Sequence, residues 1–191
     1  MDAVALLTTR CSDTKLTTPA PSSNDMDIIQ KSAVRVPDHA GLAPWQFIVF
    51  DSEEALSELG NIYAKAAMLA DPDCPQETLE RATQLPFRAP LVIACIAKYV
   101  EHQKVPRVEQ VISAGCATMA MQQAAFALGY GGIWRTGSYA HNPHMKTLLG
   151  LAEEDEIVGY LYLGTPQAKR FPRPEKDPAN HFKKYEVYQD E

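Results

Sequence analysis

The 191-residue sequence predicts a domain of the α/β or α+β class, with helices interleaved among three or four strands. Three observations carry that expectation. Pro90–Ala97 is a continuous apolar run, as in a strand whose two faces are both covered. Trp45–Phe50 is rich in aromatic and β-branched residues, and Ile157–Gly164 reads as a further strand. Between these runs lie segments with apolar residues at helical spacing, the longest from Pro106 to Leu128.

The elements follow in order. Asp2 to Thr9 is a short helix pattern with Val4, Leu6 and Leu7 apolar, ending at Arg10-Cys11-Ser12. Residues 17–24, with two prolines and four Ser/Thr, read as a loop. Asn24 is placed to cap a helix from Asp25 to Arg35, with Met26, Ile29, Ala33 and Val36 near one face. Pro37 biases Val36 away from helix, so the helix should stop near Arg35. The loop that follows carries a guanidinium and an imidazole, Arg35 and His39, to the edge of the Trp45–Phe50 strand.

Beyond that strand, Asp51 and Glu54 stand three apart like a capping box and open a helix to about Leu69. Residues 71–76 break it, and Glu77–Leu85 is a short surface helix. In the long helix Pro106 suits position N1, and the middle, Ser113–Ala125, is small and apolar nearly all round. Such a helix is buried, and small residues let a neighbour approach closely, as a dimer mate would. Gly129, Gly131 and Gly132 end it, Ile133–Thr136 is a short strand and Pro143–Leu149 a small helix. Residues 165–191 hold four prolines and many charges and read as a terminal arm. Within it Phe182–Tyr188 alternates weakly, like an edge strand added to another subunit's sheet.

Composition narrows the function. A hydrophobic content of 46% and a charged content of 22% are those of a globular protein of one domain. A net charge of −6 argues against nucleic acid as the main partner. Cys11, Cys74, Cys95 and Cys116 form no C-x-x-C pair, so neither a metal site nor a disulfide framework is expected. The N-terminus lacks a basic leader region and no apolar run approaches membrane-spanning length, so a soluble cytoplasmic protein is expected.

The motifs of P-loop kinases, zinc proteases and serine hydrolases are absent. Gly129-Tyr-Gly131-Gly132 is half a dinucleotide fingerprint, but it leaves a helix and enters a strand, the reverse of a Rossmann turn. Three polar clusters remain. Arg10-Cys11-Ser12 offers a cation, a hydroxyl and successive backbone N–H groups, suited to phosphate. Arg35 and His39 are donors four apart across a turn. Trp134-Arg135-Thr136 places a ring, a cation and a hydroxyl at a strand mouth. Each alone is equally the mark of a surface arginine, a satisfied loop histidine or a core tryptophan. Together they suit a flat, anionic, hydrogen-bonding ligand.

The joint pattern resembles the FMN-dependent nitroreductases, and within them the short bacterial YdjA-type branch. The matching stretches are Met1-Asp-Ala through Arg10-Cys11-Ser12, Arg35-Val-Pro-Asp-His39 with Pro44-Trp45, Pro86-Phe-Arg-Ala-Pro90, and Lys104-Val-Pro-Arg107 with Glu109-Gln110. Ser113–Gln122, Gly131-Gly-Ile-Trp134-Arg135 and Gly159–Gln167 continue the series in register.

The resemblance implies an α+β nitroreductase-like fold, a mixed central sheet flanked by helices, in an intertwined homodimer with FMN at the interface. It implies that Arg10, Cys11, Ser12, Trp134, Arg135 and Thr136 bind FMN from one subunit, while Arg35 and His39 reach it from the other. Lys169 and Arg170 are candidates for a further phosphate contact. Cys11 stands where the branch often has a second arginine, Thr136 replaces a serine, and Lys15 is one position displaced from the family's usual basic residue. The implied activity is ping-pong transfer from NAD(P)H to an electron-poor acceptor such as a nitroaromatic or quinone, with no acid, base or nucleophile from the protein. A flavin-binding protein without turnover, serving storage or sensing, would share the same residues.

Overall fold

The computed structural model describes residues 2–168 and 176–185. Its elements are α1 (Ala3–Thr9), β1 (Leu16–Thr17), α2 (Ser23–Ala33), β2 (Trp45–Phe50), α3 (Glu53–Ala70), α4 (Gln76–Gln84), β3 (Leu91–Ala97), α5 (Arg107–Ala127), β4 (Gly131–Arg135), α6 (Gly137–His141), α7 (Pro143–Leu148) and β5 (Glu156–Pro166). This is the expected α+β architecture, helices packed on both faces of a central sheet.

β5 is the organising strand. β3 pairs along one edge and is followed outward by β2, while β4 and β1 share the other edge, β4 opposite Tyr160–Gly164 and β1 opposite Thr165–Pro166. Every ladder among the described residues is antiparallel. β3 is buried at all seven positions, which is why it reads as an unbroken apolar run. Its side chains nevertheless alternate. Leu91, Ile93 and Cys95 face α2 and α5, whereas Val92, Ala94 and Ile96 face α3.

The pairing of β3 with β5 jumps from Cys95–Gly159 to Ile96–Ile157, which leaves Val158 as an extra residue. This bulge puts Ile157, Tyr160 and Tyr162 on the α3 face and Val158, Leu161 and Leu163 on the α5 face. One end of the same sheet is clamped by Asp155, whose carboxylate accepts from Lys98 Nζ at 2.7 Å and from the backbone N–H groups of Tyr99 (3.1 Å) and Ala152 (3.0 Å).

Several boundaries differ from expectation for local reasons. α2 begins earlier because Ser22, rather than Asn24, accepts from the Asp25 N–H, and Asp25 accepts in return from the Ser22 hydroxyl. α3 is capped by Ser52, which accepts from the Ala55 N–H, so the Asp51–Glu54 box does not form. Pro106 is the N-cap residue of α5 rather than its first helical residue. β5 runs through Pro166, past the expected start of the arm at about residue 165. Of the proposed edge strand, Phe182–Tyr185 carries no strand and residues 186–188 lie outside the described ones.

Candidate functional site

β4 sends its side chains to opposite faces of the sheet. Ile133 packs with the α3-side core and Trp134 with the α5-side core. Arg135 returns to the α3 side, its guanidinium carbon 5.9 Å from the centroid of Tyr162. The Trp134 indole N–H donates to the Val158 carbonyl freed by the bulge, at 2.9 Å. The ring fits because position 159 is glycine: a Cβ there would lie 2.2 Å from Trp134 Nε1. Thr136 is exposed at the turn into α6 and makes no capping hydrogen bond with its side chain.

Arg10 closes α1, its N–H donating to Leu6 at 3.1 Å. Three residues later the Asp13 N–H donates to the Gly132 carbonyl at 3.0 Å, which lays the Arg10–Asp13 segment against the start of β4. Arg10 Nη1 is buried and has no partner among the described residues. Cys11 is a half-buried free thiol, and Ser12 is half-buried and engaged.

The loop after α2 is held in an unusual backbone shape. Ala40 and Ala43 adopt φ of 64° and 48°, a region that costs an alanine roughly 1 kcal/mol or more. The Asp38 carboxylate compensates by accepting from the Leu42 (3.0 Å) and Ala43 (2.8 Å) N–H groups. The Pro37 carbonyl accepts from the buried Ser113 hydroxyl of α5 at 2.7 Å. His39 Nδ1 is hydrogen-bonded to Glu109 Oε2 at 2.7 Å, and Arg35 is exposed without a side-chain partner among the described residues.

Within one chain, then, the sequence-nominated residues do not come together in one hollow. Arg10–Ser12 and Trp134–Thr136 adjoin β4. His39 lines a different hollow of about 200 Å³ against α5, with Glu109, Ile112, Ser113 and Cys116. Lys15 is exposed, and Lys169 and Arg170 lie outside the described residues.

Sequence reasoning missed a cavity of about 430 Å³ beside Trp134–Thr136. Its walls include Arg88, Tyr63, Tyr139, Tyr160 and Tyr162. The Tyr63 and Tyr139 rings stack with centroids 4.3 Å apart, and Tyr160 meets Tyr63 edge-on at 5.3 Å. Burial pushes the hydroxyls of Tyr63, Tyr160 and Tyr162 well above the ordinary tyrosine range, so these are neutral donors at any physiological pH. Among the described residues, buried Arg135 Nε has no partner, and the buried Tyr160 hydroxyl, beside that of Tyr63, makes no hydrogen bond of good geometry. The only sequence signal was Arg88 inside Pro86–Pro90, because the tyrosines come from three separate elements.

Residues 7–165 match the nitroreductase family. A relative from Escherichia coli (strain K12), named "Putative NAD(P)H nitroreductase YdjA", is 44% identical over 169 residues, covering 88% of this chain and 91% of that protein. A Haemophilus influenzae relative named "Putative NAD(P)H nitroreductase" is 40% identical over 170 residues, covering 88% of this chain and 91% of that protein. Among solved structures, a nitroreductase-like family protein from Bacillus cereus superposes with a TM-score of 0.83 at 19% identity, over 98% of this chain and 97% of that one. A Bacteroides fragilis nitroreductase with bound FMN gives 0.72 at 17% identity, over 97% and 100%. Motifs, fold and relatives agree: the chain belongs to the nitroreductase family.

Proposed function

We propose that the protein is an FMN-dependent oxidoreductase, a homodimer with a flavin at each side of the subunit interface. The bound flavin supplies the redox chemistry, accepting hydride from NAD(P)H and then reducing an electron-poor acceptor such as a nitroaromatic or quinone, in ping-pong order. The observation that carries this reading is Arg10. Its buried Nη1 has no acceptor among the described residues, and an unmatched cationic donor is costly unless an anion completes it. A flavin phosphate is such an anion, and the Ser12 segment beside Arg10 adds a hydroxyl and backbone donors.

The chain's residues divide the remaining work. Cys11 contributes backbone rather than charge. The strand end Trp134-Arg135-Thr136, braced by the indole bond to Val158, would hold the ring system with its backbone. Arg35 and His39 would serve the partner subunit's flavin, and Arg35, paired with no carboxylate among the described residues, would stabilise a reduced anionic ring. His39 is oriented by Glu109.

The dimer accounts for surfaces that one chain leaves bare. No residue of α1 is buried, and Val4 and Leu7 are exposed. On α5, Val108 and Ile112 are exposed at 61% and 59%, four residues apart on one face, with Cys116 next in the series. The C-terminal arm would extend the same contact. Four unpaired thiols suit a reducing compartment such as the cytoplasm.

Anaerobic stopped-flow mixing with NADH or NADPH tests the reading. An oxidoreductase loses its flavin absorbance within seconds and recovers it on adding a quinone. A protein that stays yellow is a flavin carrier, and one that takes up no FMN refutes the assignment.

A further inference from the structure

We propose that the cavity beside the β4–α6 turn takes a single-ring aromatic compound bearing a carboxylate, and that this defines the class of electron acceptor. At about 430 Å³ it lies in the range of small-molecule pockets and admits one substituted ring. Its chemistry is one-sided. Arg88 and Arg135 both line it, while no Asp or Glu does among the described residues, and neither arginine has a salt-bridge partner there.

Two buried donors on residues that line this space make no hydrogen bond of good geometry among the described residues, the Arg135 Nε–H and the hydroxyl of Tyr160, a residue only 2% exposed. A native protein rarely leaves such groups unmade, and each costs stability until an acceptor arrives. A carboxylate accepts from both, and the planar guanidinium matches its geometry. The Tyr63, Tyr139 and Tyr162 rings supply apolar faces for the aromatic body. The larger cleft of about 1060 Å³ on the other side of α6 offers no such imbalance, since its Arg107 is paired with Glu156 at 2.6 Å and Lys146 donates to the Glu153 carbonyl.

As a statement about acceptors the proposal rests on the flavin reading; as a statement about binding it does not. Benzoate is titrated calorimetrically into the FMN-loaded full chain and into Tyr160→Phe and Arg88→Gln, with thermal melts to confirm folding. In parallel, kcat and KM are measured for 4-nitrobenzoate and nitrobenzene with NADPH.

The expected results are saturable benzoate binding, weakened about tenfold in each variant, and a lower KM for 4-nitrobenzoate that rises toward that of nitrobenzene in both variants. Absence of benzoate binding, or binding indifferent to both substitutions, overturns the proposal. Loss of FMN from Arg88→Gln also overturns it, by giving the cavity to the cofactor. If benzoate binds with the stated sensitivity but NADPH never bleaches the protein, the pocket stands and the oxidoreductase reading falls.

Discussion

Gly159→Ala is the substitution on which the site's construction bears hardest. Gly159 has φ of 144°, and a Cβ there would fall 2.2 Å from Trp134 Nε1 and 2.7 Å from the Arg135 carbonyl oxygen. The first contact forces the indole to swing and lose its bond to Val158. The second involves backbone paired to Tyr160, so relief means opening the β4–β5 ladder. The backbone strain costs about 1–3 kcal/mol, the overpacking about 1–3 kcal/mol and the lost hydrogen bond about 1 kcal/mol. With partial relaxation the sum is about 4 kcal/mol, which lowers Tm by roughly 8–16 °C in a domain of this size.

The same tryptophan supplies the control. A Cβ on Gly115 of α5 would sit 3.5 Å from Trp134 Cη2, an ordinary contact, and Gly→Ala inside a helix gains up to about 1 kcal/mol. Circular dichroism melts, with flavin retention at low micromolar protein, compare the two variants. Gly159→Ala should melt far lower and lose flavin, while Gly115→Ala should melt at or above the parent. If Gly159→Ala melts within about 2 °C of the parent and keeps its flavin, the account of how β4 is positioned is wrong.

Three further outcomes follow. Burial pushes the Asp155 carboxyl up, but the Lys98 hydrogen bond and those from Ala152 and Tyr99 outweigh it and hold it below the usual carboxylate range. Its contribution to stability is therefore full above the unfolded value of about 4 and lost as pH falls through the lower folded value. Asp155→Ala should cost about 2–4 kcal/mol at neutral pH and flatten the acid limb of the stability profile, read by urea melts across pH. Ile112→Glu should shift the sedimenting species from dimer to monomer while preserving the folded chain, because Ile112 is exposed in the single subunit. Burial raises the Cys95 thiol to about 12, so a thiol-specific disulfide reagent at neutral pH should leave Cys95 unmodified until denaturant is added. Cys116 should be protected in the dimer and quickly labelled in Ile112→Glu.

Elements whose signal is local were legible in the sequence. Trp45–Phe50 is a strand at the expected boundaries, and β3 differs by one residue, because aromatic and β-branched content and uninterrupted burial act on the segment itself. β1 was invisible, since Leu16–Thr17 is a strand only through its pairing with Thr165–Pro166, nearly the whole chain away. The helix caps slipped by one or two positions because Ser22 and Ser52 compete with adjacent polar residues equally able to cap. The bulge at Val158 had no mark beyond Gly159, yet it decides which face Tyr160 and Tyr162 occupy.

At the site, the three polar clusters were legible as residue types. The separation of Arg35 and His39 from the other two clusters followed from the family resemblance and not from spacing, and the Glu109 partner of His39, seventy residues along the chain, was not legible. The Arg88–Arg135–Tyr160 cavity depends wholly on packing.

In the proposed dimer each flavin site is built from two chains, Arg10 of one and Arg35 of the other. Differently tagged chains carrying Arg10→Ala and Arg35→Ala, co-expressed and purified as the mixed dimer, test it by visible spectrum. Each variant alone should bind little FMN. The mixed dimer should hold one intact site and one doubly impaired one, and so recover flavin at about one FMN per two chains, bleachable by NADPH. A mixed dimer as colourless as its parents would place both arginines in the same chain's site and contradict the account.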